Sequence, residues 1–255
     1  MIKNILLLIA LITVATLNDL SAQVNIFLGP TAGYNARAII NQNNYGQRRL
    51  DYTFTGDVTY GGSIGVDFNN QHIIQIEVLA MNLGQGYDQS FSDFSLQKQV
   101  DLSYIHIPLT YRFVTGRKDK DHNKGTNFHI LAGAYYGILQ DANMSHSIDN
   151  SEVSFYDFVT RGGGNPNLAV LNRRLPNQGN PDYNQLFTDS DFGAIIGFGV
   201  QSFVTTHFKL SLDLRLGVSL QDINGDRWRF LNRDGDYNAS RNLFGALTLS
   251  AFYIL

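Results

Sequence analysis

From Val100 to Phe113 the sequence VDLSYIHIPLTYRF repeats with a period of two. Ile105, Ile107, Leu109, Tyr111 and Phe113 form an apolar row, and Tyr104, His106, Pro108, Thr110 and Arg112 between them are mostly polar or polar-tipped. Side chains alternate across a strand, so this stretch predicts a strand with two unlike faces. Similar segments recur along the chain. Val24 to about Asn35 sets Ile26, Leu28, Ala32 and Tyr34 on one face. About Asp57 to Phe68 sets Tyr60, Ile64, Val66 and Phe68 against Gly61, Ser63, Gly65 and Asp67. His72 to Gly84 alternates Ile74, Ile76, Val78 and Ala80 with Gln75, Glu77, Leu79 and Met81. Phe128 to Gln140 is apolar on both faces apart from Gly133 and Gly137, which leaves its facing open. Asp191 to Phe203 opposes Phe192, Ala194, Ile196, Phe198 and Val200 to Gly193, Gly197, Gly199 and Gln201. Leu210 to Gln221 is the cleanest, with five Leu and Val218 against Ser211, Asp213, Arg215, Gly217, Ser219 and Gln221. Asn242 to Leu255 sets Leu243, Leu247, Leu249 and Tyr253 against Phe244, Thr248, Ser250 and Phe252.

Each segment is near the roughly 9–11 residues that a tilted strand needs to cross a membrane. The eight segments are joined alternately by long connections (36–56, 85–99, 141–190, 222–241) and shorter ones (69–71, 114–127, 204–207). Long loops at one end and short turns at the other are the layout of an outer-membrane barrel with periplasmic turns. The pattern therefore predicts an all-β, eight-stranded antiparallel transmembrane β-barrel with long extracellular loops. Its apolar rows face lipid, and its polar rows fill a narrow lumen. A soluble barrel of the lipocalin kind would reverse the faces. Its solvent surface would then carry Gly, Ser and Gln on the sixth and seventh strands with hardly any Lys or Glu, which is poor in charge for a soluble sheet.

Composition narrows the picture further. Only 16% of residues are charged, while 13 Tyr, 17 Phe and 24 Gly suit a β-protein with tight turns and aromatic belts. A formal charge of -3 gives no reason to expect nucleic acid as partner. Without cysteine there is no disulfide, thiolate metal site or lipid-modified cysteine. Lys3, the apolar run Ile5 to Leu17 and the sequence Leu20-Ser21-Ala22-Gln23 read as a signal peptide over residues 1–22. Cleavage after Ala22 would leave residues 23–255 as the barrel domain, exported to the outer membrane with a periplasmic N-terminus.

Glu77, His106, Arg112, Asp213 and Arg215 all fall on inward faces. Charges inside a narrow barrel must be paired, so these five are expected to form an interior polar network, with Glu77 or Asp213 bound to Arg112 or Arg215. The sharper alternative is a proton relay, an ion path or a catalytic group. Catalysis would need a nucleophile, base and orienter within reach of one another. Ser103 and His106 are three apart on a strand and point to opposite faces. Of the other histidines, His72, His122, His129 and His207 fall at or near turns and His146 lies in a long loop, so no pair has metal-ligand spacing. No catalytic, metal or cofactor site is expected. The 141–190 connection holds Gly162-Gly163-Gly164, Pro166, Pro176, Pro181 and two apolar patches, and a loop that long in a compact domain is usually functional or disordered. In the last long loop, Arg227, Trp228 and Arg229 are candidate contacts to lipopolysaccharide or a partner; the acidic spacing there does not match an EF-hand.

Several pieces resemble one family. YIHIPLTYRF (Tyr104 to Phe113) is similar to the Tyr-Leu-x-Ile-Pro-Leu-Leu-x-Lys-Tyr strand of the Bacteroidetes outer-membrane β-barrel family that includes the PorT-like proteins. IIQIEVLAMNLGQG (Ile73 to Gly86) resembles that family's preceding strand, with Glu77 where a Glu sits. FHILAGAYYGILQD, DFGAIIGFGV and LSLDLRLGVSLQDI resemble its fifth, sixth and seventh strands. The chain departs from the pattern at His106, where an acidic residue is usual, and ends on Leu255 rather than an aromatic residue. The resemblance implies an eight-stranded barrel in a Gram-negative outer membrane and no single activity. The expected role is non-enzymatic, structural or interactive through the outer loops. Partners would be outer-membrane lipid, lipopolysaccharide and other envelope or secretion proteins. The alternatives are an accessory part of a secretion or assembly machine, as the PorT-like branch implies, and a narrow channel.

Overall fold

The computed structural model describes residues 24–40, 51–69, 71–115, 125–161, 182–226, 229 and 237–255. The signal-peptide reading of 1–22 and the candidates Arg227 and Trp228 lie outside the described residues. Eight long antiparallel strands form one sheet: β1 (Val24–Ile40), β3 (Thr55–Phe68), β4 (His72–Ser90), β5 (Ser95–Val114), β6 (Gly125–Ile148), β8 (Ser190–Phe203), β9 (Phe208–Ser219) and β10 (Arg241–Ile254). Each pairs with its sequence neighbour among these eight, and β10 pairs back onto β1 from Phe27↔Ile254 to Ile40↔Arg241. The ring is closed, which removes both sheet edges. Two short strands are annexed to its rim: β2 (Asp51–Thr53) on β4 and β7 (Ser151–Glu152) on β6.

The faces follow the alternation. Ile76, Val78, Ile196, Leu212, Leu214, Leu216, Leu247 and Leu249 are exposed, while Glu77, Asp213, Arg215 and Thr248 on the alternate positions are buried. Leu216 is 56% exposed and Asp213 0%, the inverse of a water-soluble sheet and the order a lipid-facing barrel requires. The ambiguous fifth segment resolves with Phe128, Ile130 and Tyr136 outward and His129, Leu131 and Tyr135 inward. At Gln140 the β5–β6 register shifts, since Tyr104 pairs with Leu139 but Ser103 with Asp141. This one-residue bulge switches the inward set to Ala142, Met144 and His146.

Two expectations about the connections are corrected. Residues 85–99 are not a long loop: β4 and β5 run on as a ladder to Ser90↔Ser95 and leave only 91–94 as a turn, where the Phe91 and Phe94 rings stack at 4.7 Å. The 141–190 segment likewise begins as strand, with β6 extending to Ile148, followed by β7, the helix α1 (Phe155–Arg161) and a 3-10 turn at Tyr183–Leu186. Beyond the lipid zone the outer face no longer needs apolar side chains, so these strands lose the apolar row that marks them in the sequence. At the opposite end the connections at 69–71 and 204–207 are tight, with Asn69 at φ 54 in the left-handed region that Asn tolerates.

Two prolines interrupt the ladder. Pro108 pairs with Tyr135 of β6, but the β4–β5 ladder breaks between Ile76↔Leu109 and Leu79↔His106 and resumes in the same register. Pro30 pairs with Gly62 of β3, and the β1–β10 ladder breaks between Leu28↔Tyr253 and Thr31↔Ser250 and resumes in the same register. A proline has no N–H to give, so each loses the rung on one side.

Candidate functional site

The lumen is filled in layers. Nearest the tight turns, Phe27, Ile73, Val114 and Phe252 form an apolar floor. Phe27 and Phe252 meet edge to face at 4.8 Å, and the Lys209 ammonium sits 3.7 Å from the centre of the Phe27 ring, a cation–π contact.

Above this floor lies an ion network. Ser211, Asp213 and Arg215 occupy alternate positions of β9 and so share its inward face. Arg112 of β5 donates from Nη2 to Asp213 Oδ2 at 2.9 Å and from Nη1 to Oδ1 at 3.3 Å, a two-pronged pairing. Arg215 bridges both acids, with Nη2 2.8 Å from Asp213 Oδ2 and Nη1 2.8 Å from Glu77 Oε2. Glu77 Oε1 accepts from Gln75 Nε2 at 2.7 Å and lies 3.7 Å from Arg112 Nη2. His129 Nε2 sits 2.8 Å from Asp213 Oδ1, and the Ser211 hydroxyl donates to the same oxygen at 3.0 Å. All of these side chains are buried, and the two carboxylates balance the two guanidinia. Gly199 lies beside Asp213 in the β8–β9 register, and a Cβ there would stand 2.6 Å from Asp213 Oδ1 and 2.8 Å from His129 Nε2. The missing side chain makes room for the network.

Four of the five residues expected to form the network are brought together: Glu77, Arg112, Asp213 and Arg215. His106 is a correction. It is buried in the lumen, but neither ring nitrogen has a hydrogen-bond partner among the described residues. Its imidazole packs on Tyr135 with centroids 4.2 Å apart and against the edge of Phe244 at 5.4 Å. It belongs to the next layer, an apolar cluster that includes Tyr104, Leu131, Tyr135, Phe244 and Ala246. Gln75, Ser211 and His129 are members that the sequence reading did not single out. For His129 the signal was its place between Phe128 and Ile130, both outward.

Another buried acid, Asp191, marks the upper lumen. It accepts from Tyr135 Oη at 3.2 Å, from Asn242 Nδ2 at 3.0 Å and from the Ser219 hydroxyl. The apolar cluster then continues upward through Leu83, Val100, Leu102, Ala142 and Met144 to Phe155 of α1, Tyr183 and Leu186. The His146 ring packs on Phe155 at 5.2 Å and Phe158 at 4.8 Å beneath the helix. Burial, and next the charge of Lys98, hold its imidazole down to about 3. Burial alone brings the Lys98 ammonium down to about 7.

At the same end Asp222 organises the final connection. It accepts from Tyr237 Oη at 2.6 Å, the Ser240 amide at 3.0 Å and Arg229 Nε at 3.0 Å. Burial, then the bond to Asp222, push the Tyr237 phenol up to about 12. Arg229, a candidate surface contact, is thus engaged within its own loop, with Nη1 also 2.6 Å from Asp226.

Among known proteins, the family model described as outer membrane protein beta-barrel domain matches residues 21–225. No curated protein matches. Among solved structures, the N-terminal β-barrel domain of OprF from Pseudomonas aeruginosa is 12% identical, covering 92% of this chain and 100% of that one with a TM-score of 0.38. Neisserial surface protein A is 10% identical, covering 89% and 96% with a TM-score of 0.39. OprG from Pseudomonas aeruginosa is 9% identical, covering 91% and 95% with a TM-score of 0.39.

Proposed function

The chain belongs to the outer membrane protein beta-barrel domain family, and from that premise we propose that it is a sealed, non-enzymatic barrel that acts through the surface it raises outside the cell. The observation that carries this reading is the filled lumen, in which a buried ion network lies between the Phe27–Phe252 floor and the Tyr104–Tyr135–Phe244 layer. Its place is the outer membrane. With the tight turns in the periplasm, the extended ends of β4, β5 and β6 project outward, framed by β2 and β7.

The absence of cysteine makes the test direct. Ser147→Cys, at the long-loop end, is expected to react with a membrane-impermeant maleimide on whole cells, and Asn69→Cys only after permeabilisation. The purified protein in a planar bilayer is expected to give no steady conductance; a reproducible open level would overturn the sealed reading. The strand likeness to the PorT-like proteins supports a second reading, an accessory of a secretion or assembly machine. Pull-down of the detergent-solubilised native protein tests it: a stoichiometric envelope complex supports it, and a barrel recovered alone removes it.

A further inference from the structure

We propose that the outer face of the raised β4–β5–β6 sheet carries a binding site for a neutral saccharide, an inference that rests on the outward orientation given above. A cavity of about 400 Å³ opens there, a size within the roughly 300–1,000 Å³ of small-ligand sites. Its lining comes from two neighbouring cross-strand rows. One row runs Asp88–Gln97–Ser147–Glu152 across β4, β5, β6 and β7. The other runs Thr53–Gly86–Gln99–Ser145 across β2, β4, β5 and β6. The row between them, Tyr87–Lys98–His146, also borders the cavity, but its side chains are buried on the inner face, where Lys98 lies over Tyr87 and His146 packs on α1. The alternation thus gives the pocket carboxylates, amides and hydroxyls and keeps the nearby cation on the other side.

These groups are not used up by one another. Asp88 Oδ1 is buried yet accepts no hydrogen bond from the described residues. Gln97 spends its Oε1 on the Ser147 hydroxyl at 3.2 Å, which leaves its amide nitrogen to donate. Gln99 donates to Asp101 at 3.0 Å and keeps an acceptor on the pocket side, since a Cβ at Gly86 would lie 2.8 Å from Gln99 Oε1. A ligand that meets the Gln97 amide nitrogen and the Gln99 oxygen must both donate and accept at close spacing. Sugar hydroxyls do both. An anion would meet Asp88 and Glu152, and an apolar ligand would leave every group unpaired. Gln97 lies eight positions (105 − 97) beyond the outward Ile105, so at about 3.3 Å per residue and a tilt near 40° it stands roughly 20 Å above the apolar band. That is the level of the sugars of the surrounding lipopolysaccharide, and it is also open to saccharides from the medium.

The test is saturation-transfer NMR and calorimetry on the full mature barrel in nanodiscs. The probes are a neutral, phosphate-free oligosaccharide from the outer chain of lipopolysaccharide, and the soluble disaccharides maltose, lactose and cellobiose. Binding of either kind is expected, weakened at least tenfold in both Asp88→Ala and the pocket-filling Ser145→Trp, each checked for native heat-modifiable mobility. Transfer from the lipopolysaccharide fragment alone names the leaflet as the source; transfer from the disaccharides alone names the medium. No transfer from any probe overturns the proposal, as does unchanged binding in both variants. Labelling of Ser147→Cys on whole cells reports orientation alone. Absent saccharide binding with Ser147 still labelled therefore sinks this inference and leaves the barrel's orientation standing.

Discussion

Removing the Glu77 carboxylate is the most direct probe of the lumen. In Glu77→Ala, Arg215 loses its 2.8 Å partner and Gln75 its 2.7 Å acceptor, while Arg112 loses a charge 3.7 Å away. What remains is two buried guanidinia around Asp213 alone, an uncompensated positive charge in a site closed above and below by apolar layers. Breaking a buried pair by deleting one member costs about 3–5 kcal/mol, because the surviving charge keeps its desolvation cost and loses its partner. Glu77→Ala/Arg215→Met restores neutrality, with Arg112 and Asp213 still paired in a two-pronged arrangement. Replacing both charges with apolar groups is often near neutral, so the double variant is expected within about 2 kcal/mol of the parent, well below the sum of Glu77→Ala and Arg215→Met measured singly. Urea unfolding of the lipid-refolded barrel, followed by heat-modifiable gel mobility and circular dichroism at constant m-value, reads both quantities. A single variant within about 1 kcal/mol of the parent, or strict additivity of the two changes, would refute the reasoning.

Three further outcomes can be checked on the same preparation. Gly217→Val places a Cβ 2.2 Å from Phe244 Cζ in the layer that holds His106, and overpacking there is expected to cost about 1–3 kcal/mol in the same urea assay. The α1 cap should weaken in acid. Buried His146 titrates near 3 against an ordinary 6.5, so the cap is fully favoured above about 6.5 and loses stability as pH falls toward 3, by at most ~1.4 kcal/mol per unit. Amide exchange at residues 155–158, corrected for intrinsic rates, should therefore speed up from pH 7 to pH 5, and His146→Phe should flatten that response. Tyr237→Phe removes the 2.6 Å bond to Asp222 and the 3.0 Å bond from Asn224; a loss of about 1–2 kcal/mol of local stability should appear as faster protease cleavage in the 222–240 connection.

How much of this was legible in the sequence depends on where lipid imposes its contrast. Inside the lipid zone it did so strongly: Leu212, Leu214 and Leu216 against Asp213 and Arg215 state both the strand and its facing. The same alternation brought Glu77, Arg112, Asp213 and Arg215 to one lumen, though it could not say which pairs form, because that depends on register between β4, β5 and β9. His129 stayed hidden because Leu131 and Tyr135 share its inward face, so β6 shows no polar row. The true length of β4, β5 and β6 was hidden for a related reason. Gln97, Gln99, Ser145 and Ser147 on their outer ends are polar and lie beyond the apolar rows, and a polar outer face over a polar turn reads as loop. His106 was misplaced because period-two reasoning gives a face and not a height, and its neighbours across the lumen are Tyr135 and Phe244.

The filled lumen also constrains the order in which the barrel is made. Glu77 and Arg215 are 138 residues apart in sequence, and Arg112 and Asp213 are 101 apart. The β4–β5 hairpin can bring Glu77 and Arg112 only to 3.7 Å of one another, while their close partners on β9 are distant in sequence, and contacts so distant form late. Until β9 arrives beside its partners, Glu77 on β4 and Arg112 on β5 stand without Arg215 and Asp213. A growing barrel must therefore keep these charges hydrated until the last strands close on β1. The plugged state is the final event of assembly, and a catalyst of insertion for this chain has to shelter an open, hydrated sheet rather than a finished cylinder.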